Sequence, residues 1–213
     1  LGTPLVHVVV DTVADYPDAF RFLGRLLNRP ERGRALAAYA QEVLDRAARV
    51  RQSMSDEERA EVYYAQGPDG LSTECHTSLH AQLIPMGGGR NVHRCSTRDL
   101  YGMQKISMEQ ILRYDPEIII AHEAAFFEQL SNAAVWQNIR AVQNDRVYRI
   151  PRRPFNWFDR PPSFMRLMGL QWLIHCLYPA QSSVDIIAET RRFYDLFLNV
   201  VLDRAEARDL VGQ

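Results

Sequence analysis

The stretch RVYRIPRRPFNWFDRPPSFMRLMGLQWL, residues 146–173, decides the fold. Its first five residues have the β-branched and aromatic content of a strand. A proline-punctuated loop follows, carrying Trp157, Phe158 and Arg160. Pro161, Pro162 and Ser163 can open a helix, because first-turn nitrogens lack intrahelical partners and proline has no N–H to leave unpaired. Phe164, Leu167, Met168, Trp172, Leu173 and Cys176 then recur at helical spacing, with apolar residues around most of the circumference, which predicts a buried helix. A loop rich in rings and cations, launched from a rigid scaffold, is how a protein presents a binding surface.

Working outward, the same alternation recurs. Residues 117–121, EIIIA, read as a central parallel strand, with His122 and Glu123 at its carboxyl end. Ser107 caps the short helix before it, with Gln110 three residues on, and Asp115-Pro116 stops that helix. Residues 61–65, EVYYA, read as a strand followed by the turn residues 66–70. Residues 77–86 are expected to be helical and to end at the glycine run 87–89. Two helices come earlier. One starts at Asp15-Tyr16-Pro17 with Phe20, Leu23, Leu26 and Leu27 on its apolar face. The other, about 31–54, keeps Leu36, Ala40, Val43, Leu44, Ala47, Val50 and Met54 at i+3/i+4 spacing. At 1.5 Å per residue the second spans about 35 Å, long enough to be a strut between two bodies. Residues 4–10, PLVHVVV, are expected to be a buried strand, and an amphipathic helix is expected over 184–202, with Ile187, Phe193, Tyr194, Phe197, Leu198 and Val201 inward. Strands alternating with helices give an α/β layered domain with a largely parallel sheet.

Composition narrows the function classes. The chain has 213 residues, 46% apolar and 24% charged, with a formal net charge of -1, as in ordinary globular proteins. That charge gives no reason to expect nucleic acid or a membrane surface as partner. The three cysteines are too few and too scattered for a zinc site. Cys75 and Cys95 could pair in an oxidising compartment, which the sequence alone does not decide. No nucleophile elbow, H-E-x-x-H motif or marked carboxylate dyad is present, so an enzyme is not expected. His76 and His80 have a spacing that can bind metal, but no third ligand is evident.

In parallel sheets, ligands sit beyond the carboxyl ends of the strands. The loops expected there bring together Tyr101, His122, Trp157 and Phe158 with Arg90, Arg94, Arg98, Arg152, Arg153 and Arg160. Arginines among aromatic rings suit a planar or anionic ligand, through forked hydrogen bonds and stacking. At least half of these arginines are expected to pair with neighbouring acids instead, Arg160 with Asp159 or Glu123 among them.

The order VYYAQGPDGL, GGGRNV, KISMEQILRYDPEIII, W-x-x-I-x-AVQNDRVYRIP, PFNWFDRPPS and LMGLQWLIHCLYP resembles the C-terminal part of class III periplasmic substrate-binding proteins of ABC importers. The resemblance implies a parallel-sheet α/β lobe joined by a long backbone helix to the remnant of a second lobe. On that pattern residues 1–28 end the N-terminal lobe, 31–54 form the connecting helix and 60–213 form the C-terminal lobe. It implies a periplasmic or membrane-anchored extracellular protein with no cofactor of its own. Such a protein would deliver a metal chelate or oxyanion (ferric siderophore, haem, cobalamin, molybdate or tungstate) to permease subunits. Glu109 matches the glutamate that docks on the permease. Tyr101, His122, Trp157, Phe158, Arg160 and Arg98 fall in the loops that would meet the ligand. Family members commonly offer a tyrosine where this chain has Trp157-Phe158, which favours stacking over metal ligation from that loop. The alternative is a non-transport metal- or cofactor-binding protein of the same architecture, nitrogenase-like or a sensor.

Overall fold

A computed structural model of the chain describes residues 5–95, 102–130, 133–182 and 184–212. Its centre is a four-stranded, wholly parallel sheet in the order β3-β1-β5-β6. The strands are β1 (Glu61–Ala65), β3 (Arg90–Asn91), β5 (Ile118–Ala121) and β6 (Val147–Arg149). Val62 pairs with Ile118, and Ile119 with Val147. A separate antiparallel ribbon joins β2 (Ser72–Glu74) to β4 (Met103–Lys105).

Period-two alternation divides the sheet's side chains between two cores. Val62, Tyr64, Ile118 and Ile120 face one core. They pack there with α2 (Pro30–Gln52), α3 (Leu83–Met86), α7 (Met165–Leu177), α8 (Ile186–Phe193) and α9 (Arg204–Val211). Tyr63, Ala65, Ile119 and Ala121 face the other, against Ile111 of α4 (Met108–Tyr114), Phe126 of α5 (Ala124–Gln129), Ala141 of α6 (Arg140–Gln143) and Trp136 in the 3-10 turn before it. β5 is therefore covered on both faces, which its run of three isoleucines requires.

The helices follow their local signals. Ser107 Oγ accepts from the Gln110 N–H at the start of α4, and Asp115 ends it in the left-handed region before Pro116. Gly87 caps α3, and Gly88 turns the chain away at φ +88°. α2 is unbroken over 23 residues and packs along α7 and α1 (Tyr16–Leu26), with Tyr39, Ala40, Val43 and Ala47 buried. It therefore lies on the lobe along its buried face. α7 is almost wholly buried.

Several expectations are corrected. Residues 5–10 form no strand, and Leu5 is 92% exposed: the described sheet is built entirely from residues 61–149, so this β-branched run has no partner to pair with. Leu26 and Leu27 are exposed, because α1 packs through Tyr16, Ala19 and Phe20 instead. The helix expected over 77–86 splits into a 3-10 turn, Leu79–Ala81, and the short α3. Pro85 has no N–H to donate back into a continuous helix. His76 and His80 thus do not share a helix face. α7 starts at Met165, after the prolines. The last helix divides too: α8 runs into a π-helical turn, Tyr194–Leu198, that ends at left-handed Asn199, and Val201 is 82% exposed.

Candidate functional site

The carboxyl ends of β1, β5 and β6 lead into Gln66, His122 and the 150–160 loop, and the acidic end of β2 lies beside them. The loop is shaped by Asn156, whose Oδ1 accepts from the N–H groups of Phe158 (2.7 Å) and Asp159 (3.1 Å). With Oδ1 so used, Nδ2 is the atom that donates, 3.2 Å from His122 Nε2. His122 Nε2 is then an acceptor. Its proton sits on Nδ1 and is donated to Glu123 Oε1 at 2.8 Å.

Asp159, almost fully buried, is the hub of the site. Its Oδ1 accepts from the Tyr64 hydroxyl at 2.6 Å, and its Oδ2 lies 3.1 Å from His80 Nδ1 and 3.3 Å from Arg160 Nε. Burial pushes the Tyr64 hydroxyl well above its ordinary pKa, so it stays a donor at neutral pH. Arg160 also donates from Nη2 to Oε1 of Glu74, a fully buried carboxylate, at 2.5 Å. Ser78 Oγ donates to the other oxygen of Glu74 at 2.8 Å. Two buried carboxylates therefore hold one arginine whose side chain keeps 33% of its surface open. Of the two acids expected for Arg160, Asp159 pairs with it and Glu123 takes His122 instead; Glu74, Tyr64 and His80 carry no sequence signal that would place them here.

The other expected site residues lie differently. Trp157 and Phe158 are 0% exposed. The Trp157 indole donates to Arg153 O at 2.8 Å, and the Phe158 ring packs 4.9 Å from that of Tyr64. These rings fill the core beneath the loop, so they do not form its binding surface: burying two large apolar side chains is worth more than presenting them to water. His122 is likewise turned inward, with both ring nitrogens engaged. Arg152 donates to His122 O, Arg153 pairs with Asp209, and Arg90 pairs with Glu61 at the opposite, amino end of β1. Three of the six arginines expected at the rim, Arg90, Arg153 and Arg160, are thus paired with acids. Arg98 and Tyr101 lie outside the described residues.

Among the described residues no group of three or more His, Cys, Asp or Glu is disposed to hold a metal ion. Cys75 and Cys95 form a disulfide, with Cα atoms 5.4 Å apart, directly after Glu74. Cys176 is buried. Glu109 is exposed in the first turn of α4, where its own backbone N–H and the Ser107 side chain hold its carboxyl below the usual range. A cleft of about 610 Å³ opens beside the β6 edge, between Phe127, Trp172, His175 and Asp209.

Comparison with known proteins gives a consistent picture. An ABC transporter solute binding protein from Sulfurospirillum deleyianum has the same architecture, with a TM-score of 0.93 and 40% identity, over 97% of this chain and 64% of that one. The molybdate-binding protein MolA of Haemophilus influenzae is 26% identical over 147 residues, 68% of this chain and 40% of MolA. The Fe(3+)-citrate-binding protein YfmC of Bacillus subtilis is 26% identical over 145 residues, 66% of this chain and 44% of that protein. The chain thus spans less than half the length of these two curated relatives. The family model for periplasmic binding proteins matches residues 3–154, well over half of the chain. This chain belongs to the periplasmic binding protein family.

Proposed function

We propose that the chain is the C-terminal lobe, with its long helix, of the solute-binding component of an ABC importer. On this reading residues 1–28 are the end of a second lobe, and the ligand lies at the carboxyl edge of the sheet described above. The protein works in the periplasm or tethered outside the cell, and it binds without catalysing. Its ligand is an anionic metal complex or metal oxyanion, and Glu109 meets the permease.

The observation that carries this reading is Arg160. It is the guanidinium held at the ligand-facing edge by two buried carboxylates, with a third of its side chain open. A forked, always-charged donor in a partly dry site suits oxyanions and carboxylates. The two curated relatives are named for molybdate and for ferric citrate, both anionic. Arg98 and Tyr101 stay in the proposal as further contacts. An iron–sulfur, nitrogenase-like role finds little support, because Cys75 and Cys95 are joined to each other and Cys176 is in the core.

The test is metal analysis and absorption spectroscopy of the purified protein, followed by calorimetric titration with molybdate, tungstate, ferric citrate and cobalamin. Stoichiometric binding of an anionic member of this set supports the reading. Binding of none of them, or of cobalamin alone, overturns the ligand class. Separately, Glu109→Arg is expected to abolish uptake with ligand affinity within about twofold, since it sets like charges against the partner. A tenfold loss of affinity would reassign Glu109 to the ligand face.

A further inference from the structure

We infer that Glu74 is a positioning residue: it fixes the guanidinium of Arg160 at the ligand-facing edge while touching no ligand itself. The inference rests on the reading that Arg160 meets the ligand. Glu74 is fully buried and lies 86 positions from Arg160 in the chain. Its own backbone is held in three ways. It pairs with Met103 in the β2–β4 ribbon, its carbonyl accepts from Asn91 Nδ2 at 3.0 Å, and the disulfide begins at the next residue. Its carboxylate is equally constrained. Oε2 takes the Ser78 hydroxyl, and a Cβ built on Gly102 would stand 2.1 Å from that same oxygen. The carboxylate therefore has one position, and Oε1 in that position takes Arg160 Nη2.

Arginine has four side-chain torsions, and a ligand that had to order them would lose affinity. With Nη2 held by Glu74 and Nε beside Asp159, the guanidinium plane is set before any ligand arrives. No hydrogen bond or ion pair among the described residues engages Nη1, which leaves that edge of the fork for an anion. This is support of a binding group by a buried acceptor behind it.

The test uses Glu74→Gln, which keeps the shape and removes the charge, and Gly102→Ala, which leaves Glu74 intact but crowds its carboxylate. Arg160→Lys serves as the control for ligand contact. Nitrogen-15 spectra of the arginine side chains report whether Arg160 is held, and titrations with molybdate and ferric citrate report affinity. In the parent protein the two Nη positions of Arg160 are expected to give separate signals, because rotation about Cζ–Nε is blocked. In Glu74→Gln they should merge, with affinity down about tenfold and the melting temperature changed far less than in Arg160→Lys. Gly102→Ala should do the same in milder form, and it decides the matter if Glu74→Gln does not fold. Separate Nη signals in both variants overturn the inference. So does affinity within twofold of the parent for the Glu74 variant when Arg160→Lys loses tenfold. Unchanged affinity in Arg160→Lys instead removes Arg160 from the ligand site, while the spectra still decide whether Glu74 holds it.

Discussion

Replacing Gly169 by alanine sets two effects of known sign against each other. In the middle of a helix, alanine is favoured over glycine by about 1 kcal/mol, so on propensity alone Gly169→Ala should stabilise α7. Its Cβ, however, would lie 1.7 Å from the Trp157 carbonyl oxygen and 2.7 Å from the carbonyl carbon. Relief needs a shift of about 1.8 Å by one backbone or the other, judged by ordinary contacts of about 3.5 Å. Neither moves readily. α7 is buried nearly throughout, and Trp157 is held by its N–H on Pro151 O and its indole on Arg153 O. Overpacking of this kind costs about 3 kcal/mol or more, so the net destabilisation should be about 2–3 kcal/mol. For a chain of this size that is a fall of about 5–10 °C in melting temperature. Urea and thermal unfolding of Gly169→Ala beside the parent measure it directly. A variant as stable as the parent, or more stable, would mean that α7 does not press against the loop at Trp157, and the account of how Asp159 and Arg160 are held would fail with it.

Other outcomes follow from the same contacts. Tyr64→Phe strips Asp159 Oδ1 of its hydroxyl donor and should cost about 1–3 kcal/mol in urea unfolding. It should also reduce the loss of stability above pH 10, since there the unfolded chain ionises a tyrosine that the fold keeps protonated. Asp185 caps α8 by accepting from the N–H groups of Ile187 and Ala188, so Asp185→Ala should cost about 1 kcal/mol at neutral pH. Those bonds, with Ala188 foremost, hold its carboxyl below the ordinary value. The contribution is therefore complete above that value and fades as pH falls through the depressed one, which acid titration of stability in both proteins would show. The disulfide spans 20 positions, for which loop-closure entropy gives about 3 kcal/mol. The Cys75→Ser, Cys95→Ser double variant should lose most of it in thermal unfolding, and a loss below about 1 kcal/mol would argue against the bond.

What could be read from residues alone follows the range of the forces involved. β5 was legible because three consecutive isoleucines suit only a strand covered on both sides. Ser107, the glycine run and the i+3/i+4 pattern of α2 are local signals, and each is found where the chain implied. The site was legible as an edge and as a loop but not as a set of side chains. Trp157 and Phe158 look like a binding surface when counted along the loop. Which way a ring turns depends on the space that α7 and β1 leave beneath it. Glu74 carried no mark in the sequence, because its importance comes from a contact with a residue 86 positions away. The run at residues 5–10 shows the converse: a strong β signature forms no strand where none of the strands among the described residues runs beside it.

The strand order carries a kinetic consequence. β1 comes first among the sheet strands yet lies second in the sheet, between β3 and β5, so its pairing with β5 joins residues 56 positions apart, as at Val62 and Ile118. Closing so long a loop is slow, because its entropy is lost before any contact returns it. During synthesis one edge of β1 can pair with β3 once residue 91 is made, but the other stays unpaired until the ribosome has delivered residue 121. For that interval VYYA is an apolar, aggregation-prone strand, and its protection depends on how quickly the three isoleucines of β5 arrive.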